Sequence, residues 1–459
     1  MKIGVIGTGH VGLVACVTYA EMGHQVVGVD VDEERVDQLG RGIAPFFEPG
    51  LVELLQRHLA GGSLSFSTAI ADAVRGAEVV FICVGTPSRA TGEANLLAVE
   101  RVAREVAVHS DQAAGGRLVL VQKSTVPAGT ATRVRRALRM ANRDAGARVS
   151  VASNPEFLRE GQAIRDSLEP DRILVGADSV YAFEAMRRLY KSLIDNGTEY
   201  IETDVPTAEL AKHASNAFLA LKISYANALA RLCERSGADV TRVADIMGSD
   251  PRIGRAFLDA GMGYGGFCFP KDLQAFEHLS DSLGYDFPLL REVARLNNEA
   301  LVATLTKIKE GVWNLEDKRV ALLGLSFKPG TDDVRFAPAL ELAQRLLDEG
   351  ATVVGYDPQA MTNAKQEVPG LELAADPYEA ASGAHCLVLC TQWPEFRDLD
   401  LHHLRRVMTD PLVVDGRNLF DARQMAAAGF LYFSVGRPPG GLEIDLRDVG
   451  ETQQADASS

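Results

Sequence analysis

The run Lys2-Ile-Gly-Val-Ile-Gly7 leads straight into Gly7-Thr8-Gly9-His10-Val11-Gly12, and few folds accommodate that succession. The apolar run reads as a buried strand. Glycines spaced G-x-G-x-x-G form a tight turn opening into a helix, here reaching about Met22. A second strand, 25–30, closes on Asp30. A glycine turn alone is weak evidence. Set between a strand and a helix, with an acid ending the next strand, it points to a dinucleotide site. The glycines admit a pyrophosphate to the helix N-terminus, where N–H groups point at it. Asp30 would bind a ribose 2′-hydroxyl and repel a 2′-phosphate, which favours NAD over NADP; the alternative is that Asp30 only caps the next helix.

Apolar runs at 79–84, 118–122, 149–152 and 173–175 alternate with helical stretches such as 96–109 and 130–141, predicting a parallel sheet covered on both faces. The loops Gly85-Thr86-Pro87, Ser124-Thr125-Val126-Pro127 and Asn154-Pro155-Glu156 then leave the carboxyl ends of strands, where such sheets bind ligands. From 208 to 234 there is no Gly or Pro, and an apolar stripe runs through Leu210, Ala214, Ala217, Leu221, Tyr225, Ala228 and Leu232. This reads as one long helix, a spine between two domains and a subunit contact. The third section repeats the first: a strand at 319–324, a helix at 338–349 and a strand at 351–357 closed by Asp357. A longer loop, 325–335, replaces the glycine turn. Its Lys328 and Arg335, with Arg417 after a strand at 412–415, suit a phosphorylated ligand that is not a dinucleotide. The alternative is a solvated loop whose cations pair with Asp332 and Asp333. The expected fold is α/β: two Rossmann-like doubly wound domains, 1–205 and 311–448, joined by a helical region, 206–310, that pairs subunits, with a disordered polar tail at 449–459.

The stretch Gly263-Tyr264-Gly265-Gly266-Phe267-Cys268-Phe269-Pro270-Lys271-Asp272 puts a cysteine in a glycine-rich turn that Pro270 converts to helix. At a helix N-terminus the dipole favours the thiolate, the attacking form. A small buried hydrophobe is the plain alternative; the flanking Gly, Pro, Lys and Asp favour a nucleophile. The other cysteines, Cys16, Cys83, Cys233, Cys386 and Cys390, have no framework spacing and fit reduced thiols in a cytoplasm. His385, Cys386 and Cys390 lie in an apolar run that reads as a buried strand, so no metal site is expected. A length of 459 residues implies two or three domains. The net charge of −15, with no basic block, argues against nucleic acid or an anionic membrane as partner, and no stretch is long and apolar enough to span a bilayer.

A hydride acceptor beside a nucleophilic cysteine points to oxidation beyond the aldehyde. An alcohol gives an aldehyde, a thiolate adds to it, the thiohemiacetal loses a second hydride, and water releases an acid from the thioester; the oxyanion needs fixed donors and the water a positioned base. Seven motifs carry a resemblance: Gly7-x-Gly9-x-x-Gly12; Gly85-Thr86-Pro87; Lys123-Ser124-Thr125-Val126-Pro127; Asn154-Pro155-Glu156-Phe157-Leu158-Arg159-Glu160-Gly161; Lys212 with Asn216; Gly265-Gly266-Phe267-Cys268-Phe269-Pro270-Lys271-Asp272; and Phe327-Lys328-Pro329. On these the chain resembles, over nearly its whole length, the nucleotide-sugar 6-dehydrogenases of the UDP-glucose/GDP-mannose dehydrogenase family.

The resemblance implies four-electron oxidation of UDP-glucose to UDP-glucuronate with two NAD. It makes Cys268 the nucleophile, has Lys212 and Asn216 hold the tetrahedral oxygen, gives Asp272 the orienting of Lys212 and a water, and has Thr125 and Glu156 place the hydrolytic water. NAD would meet Gly7, Gly9, His10, Val11, Gly12, Asp30, Arg35, Gly85, Thr86, Thr125, Glu160, Lys271 and Arg335. The UDP-sugar would meet Glu156, Phe157, Leu158, Arg159, Glu160, Lys212, Asn216, Tyr264, Gly265, Gly266, Phe327, Lys328 and Arg417, with Arg252 from a neighbouring subunit of a homodimer or larger assembly. Phe267 departs from the family pattern, where many relatives carry Ser. The stretch Glu169-Pro170-Asp171-Arg172-Ile173 looks more like the UDP-glucose branch than the GDP-mannose branch. UDP-N-acetylmannosamine or GDP-mannose as substrate, a one-step NAD-dependent dehydrogenase with an incidental cysteine, and a regulatory protein that binds without turnover remain as alternatives.

Overall fold

Strands buried on both faces need side chains that are apolar on both, and the runs picked out in the sequence supply them. The computed structural model describes residues 1–89 and 91–438, so the expected tail at 449–459 lies outside the described residues. Its chain divides into two units: Met1–Leu219 with Phe267–Arg291, and Ala220–Gly266 with the chain from Glu292 onward.

The first unit holds β1 (Lys2–Ile6), β2 (Gln25–Val29), β3 (Leu64–Ser67), β4 (Val79–Ile82), β5 (Leu118–Gln122), β6 (Val149–Ser153), β7 (Arg172–Ala177) and β8 (Glu199–Thr203). They form one sheet in the order β3-β2-β1-β4-β5-β6-β7-β8. The expected parallel pairing fails at one place: β6 and β7 pair antiparallel, Ala152 opposite Ala177. The segment between them does not cross back over the sheet, so β7 enters at the end where β6 leaves. Chain order reverses between the neighbours β1 and β4, and the loops after both open there, the usual ligand crevice of such sheets. The glycine turn is sterically required. A Cβ on Gly12 would lie 1.8 Å from the Gly7 carbonyl oxygen, so only glycine lets the helix His10–Glu21 start so close to β1.

The second unit holds β9 (Arg319–Leu323), β10 (Thr352–Tyr356), β11 (Glu372–Leu373), β12 (Cys386–Leu389), β13 (Leu412–Asp415) and β14 (Leu431–Ser434), in the order β11-β10-β9-β12-β13-β14. All its pairs are parallel. This repeats the order of β1 to β6 in the first unit, as the sequence repeat predicts. Cys386 and Cys390 are buried, one on β12 and one just after it, and the His385 Nδ1 accepts a hydrogen bond from the Arg319 N–H.

The long helix runs Val205–Ser236, with the division between units falling inside it. Its buried face mixes small apolar residues, such as Ala217, Ala220, Ala226 and Ala230, with polar ones, and several large apolar residues point outward. Glu209, Lys212, His213 and Asn216 are buried, whereas Leu210, Phe218, Tyr225 and Leu232 are 42%, 60%, 48% and 61% exposed. No helix among the described residues is long and apolar enough to cross a membrane.

Candidate active site

The acid that ends β2 holds the glycine turn in place. Asp30 Oδ2 accepts from the Thr8 N–H at 2.9 Å and from its hydroxyl at 2.8 Å, and Oδ1 accepts from the Asp32 N–H. Burial pushes its carboxyl upward, but these bonds and Arg35 at 3.4 Å outweigh that and leave it below the ordinary range. The cap of the following helix is Asp32, so the alternative for Asp30 does not apply. The helix His10–Glu21 has neither a side-chain cap nor an acid in its first turn, and a Cβ on Gly9 would meet nothing within 4 Å. Both features fit a bound pyrophosphate. The His10 ring stacks on Phe46 at 3.9 Å, and Val11 begins the same helix half-buried.

Three loops at the strand ends are tied together. The Thr86 hydroxyl donates to the Thr125 carbonyl at 2.9 Å, while Gly85 beside it is exposed. Lys123, directly after β5, donates through Nζ to Oδ1 of Asn154, directly after β6, at 3.2 Å, and the Tyr190 hydroxyl donates to the same oxygen at 2.6 Å. Asn154 precedes Pro155 and the buried Glu156, whose Oε2 accepts from the Leu158 N–H at 2.6 Å. The Phe157 ring lies 4.1 Å from the Arg172 guanidinium and 5.2 Å from Lys212 Nζ. Arg159 is exposed and pairs with Asp166, and Glu160 is half-buried.

Against these loops the long helix places Lys212 and Asn216 one turn apart on its buried face. Lys212 Nζ lies 3.2 Å from Glu156 Oε1, and Asn216 Nδ2 donates to Asp272 Oδ2 at 2.6 Å. Lys271 Nζ donates to the other Asp272 oxygen at 2.6 Å. Burial works against the Lys212 charge, yet Glu156 and Asp272 more than offset it and hold the ammonium above its usual range. Burial likewise opposes the Asp272 charge, but the ammonium groups of Lys271 and Lys212 keep its carboxylate below the ordinary value.

Cys268 is the first residue of the helix Cys268–Ser282 and is partly exposed, while the other five cysteines are buried. The expectation that the helix dipole favours its thiolate is corrected: burial, then Glu156 and Asp272, push the thiol up to about 12 against the opposing pull of Lys212. Two carboxylates in a poorly solvated site outweigh a half-charge dipole. Phe267, the departure from the family pattern, caps this helix with its ring 5.7 Å from the Lys271 ammonium.

In the second unit, the turn before Cys268 packs on the loop after β9. A Cβ on Gly265 would lie 2.3 Å from the Phe336 carbonyl oxygen, and the Gly266 N–H donates to the Arg335 carbonyl. Tyr264 is buried, its N–H donating to Asn297 Oδ1. Arg335 forms a two-pronged ion pair with Asp333, the partner foreseen in the solvated-loop alternative. Lys328 Nζ lies 5.6 Å from the Phe327 ring. Arg417 donates to the carbonyls of Cys390 and Gly263, bracing the turn. Asp357, the counterpart of Asp30, takes the N–H groups of Leu325 and Ser326 and the Trp393 indole. Arg252 is exposed and folds onto Asp250.

Sequence reasoning passed over Glu209 and His213, which share the buried face of Lys212 and Asn216. Their spacing, i and i+4 beside another i and i+4 pair, was the available signal.

Three consecutive stretches match one family, the UDP-glucose/GDP-mannose dehydrogenases: its NAD binding domain at residues 1–194, its central domain at 206–299 and its UDP binding domain at 321–422. The chain is 46% identical to UDP-glucose 6-dehydrogenase of Rhizobium meliloti over 442 residues, covering 95% of this chain and 100% of that one. It is 44% identical to the Pseudomonas aeruginosa UDP-glucose 6-dehydrogenase, covering 96% of this chain and 98% of that one. The solved structure of a UDP-glucose dehydrogenase from Pyrobaculum islandicum matches with a TM-score of 0.87 at 39% identity, covering 95% of this chain and 98% of that one.

Proposed function

The chain belongs to the UDP-glucose/GDP-mannose dehydrogenase family, and from that premise we propose that it oxidises the sugar C6 of UDP-glucose to the carboxylate of UDP-glucuronate. NAD, when bound, would supply the hydride acceptor for both oxidations, the first of which converts the C6 hydroxyl to an aldehyde with its proton leaving to water. Everything else is done by side chains of this chain. Cys268 adds through sulfur to the C6 aldehyde, its proton passing to the carbonyl oxygen, which Lys212 and Asn216 receive as hydrogen-bond donors. Loss of the C6 hydride to the nicotinamide and of the hydroxyl proton to water then leaves a thioester on Cys268. Water, placed by Thr125 and Glu156, cleaves it to acid and regenerated thiol. Asp272 keeps the Asn216 amide turned toward the oxygen and adds negative charge that holds Lys212 protonated.

The observation that carries this reading is the buried ammonium of Lys212, one turn from a buried Asn216 and within the electrostatic reach of the Cys268 thiol. A donor pair of that kind, fixed before substrate arrives, suits a developing oxyanion. NAD meets the glycine turn with Asp30, Arg35, Thr86 and Glu160, and residues 1–205 form its domain. Residues 311–448 hold the UDP portion through Phe327, Lys328 and Arg417. Residues 206–310 pair subunits, since the outward apolar residues of the long helix need a partner in water, and Arg252 reaches a neighbouring site. The enzyme works in the cytoplasm, to which its free cysteines are suited.

The test is a count. With UDP-glucose, two NADH should appear per sugar consumed, and one would sink the mechanism. UDP-N-acetylmannosamine and GDP-mannose run in parallel should give far lower kcat/KM; saturable turnover of either alone would move the substrate assignment.

A further inference from the structure

We propose that Glu209 and His213 are positioning residues that lock the Thr125 loop to the helix carrying Lys212 and Asn216, an inference that rests on the roles given above to Thr125 and Lys212. Glu209 is 2% exposed, and its two carboxylate oxygens accept from the Gly129 N–H at 2.7 Å and the Ala131 N–H at 3.0 Å. Those residues open the helix Thr130–Ala141, which has no side-chain cap of its own and no acid in its first turn. Glu209 therefore supplies from another element what that helix lacks. One turn along, His213 is 1% exposed and its Nε2 lies 3.0 Å from the Val126 carbonyl oxygen. A carbonyl only accepts, so Nε2 carries the hydrogen. Burial pushes the His213 pKa down, which keeps the ring neutral and this tautomer in place.

Residues 126, 129 and 131, directly after Thr125, are thus held by the helix face that presents Lys212 and Asn216. On the other side Thr86 grips the Thr125 carbonyl, and the Ser124 hydroxyl donates to the Val84 carbonyl at 2.7 Å. A Ser or Asp beside Gly129 would cap the helix at less cost than a buried carboxylate. It would also leave Thr125 free to shift relative to Lys212. The remote cap makes water-placing and oxygen-holding groups move as one body.

The test uses the full-length enzyme at pH 8.5, above the value of about 7 to which burial raises the Glu209 carboxyl. Glu209→Gln keeps the shape but turns an NH2 group toward a backbone N–H; His213→Leu removes the hold on Val126. Each should lower kcat by about tenfold or more with KM for UDP-glucose and NAD within about threefold, since the groups proposed to bind are untouched. Unchanged kcat in both folded variants overturns the proposal, and so does a kcat loss that comes with an equal fall in thermal stability and raised KM. Should neither variant fold, wild-type amide exchange decides: protection of Gly129 and Ala131 matching that of β5 supports the clamp, and free exchange overturns it. A wild-type enzyme inert toward UDP-glucose sinks the substrate reading alone, and the kcat and KM split is then read on the nucleotide sugar it does oxidise.

Discussion

At the scale of single residues, Cys268 sits where Glu156 and Asp272 oppose its ionisation and Lys212 favours it. Burial first, and then these two carboxylates, raise its pKa and disfavour the thiolate, which makes the sulfur less reactive toward stray electrophiles. Alkylation of Cys268 by iodoacetamide should therefore be slow and rise about tenfold per pH unit from pH 7 to 9.5, because the thiolate fraction keeps growing below a raised pKa. A plateau near pH 9, where an ordinary thiol levels off, would contradict this. Glu156→Gln removes one opposing charge and leaves Lys212 in place, so it should label faster at pH 8. Cys268→Ser should abolish acid formation while NAD still binds; a full rate of UDP-glucuronate production would remove the thiol from the mechanism.

At the scale of elements, one device appears twice in the first unit. Glu48 accepts from the Gly161 and Ala163 N–H groups, both at 2.7 Å, at the start of the helix Ala163–Leu168, as Glu209 does at Gly129 and Ala131. Each loop expected to carry reacting groups ends in a glycine and a helix capped from a distant buried acid. Glu48→Ala should lower stability by roughly 1.5–3 kcal/mol, the worth of hydrogen bonds to a charged group, measured as an earlier first transition in urea. A transition unmoved by the substitution would deny the cap any structural weight. These caps were not legible in the sequence. A glutamate 78 residues from its amide carries no local pattern, unlike Asp32, which caps the helix that directly follows it.

At the scale of the whole molecule, the outward apolar residues of the long helix bear on the proposed pairing of subunits. The helix buries Ala217, Ala220, Ala226 and Ala230 within its own chain but leaves the large apolar side chains Phe218, Tyr225 and Leu232 exposed to water. Light scattering should give a mass at least twice the 49.4 kDa of one chain. Phe218→Glu with Tyr225→Glu should shift it toward one chain and depress activity, as Arg252 would no longer reach a neighbouring site. A single-chain mass for the wild type would refute the pairing.

Both strand–helix repeats, the glycine turn with its closing acid, and the cysteine at a helix start can be read along the chain, because each is a local pattern of spacing and residue type. Only the tertiary structure decided how the charges balance. It brought Glu156 to Lys212 and Asp272 to Asn216, set burial and two carboxylates against ionisation of the Cys268 thiol, committed Arg335 to Asp333 and Arg417 to backbone carbonyls, and reversed β7. Burial and long-range proximity set those outcomes, and neither is written in the neighbours of a residue along the chain.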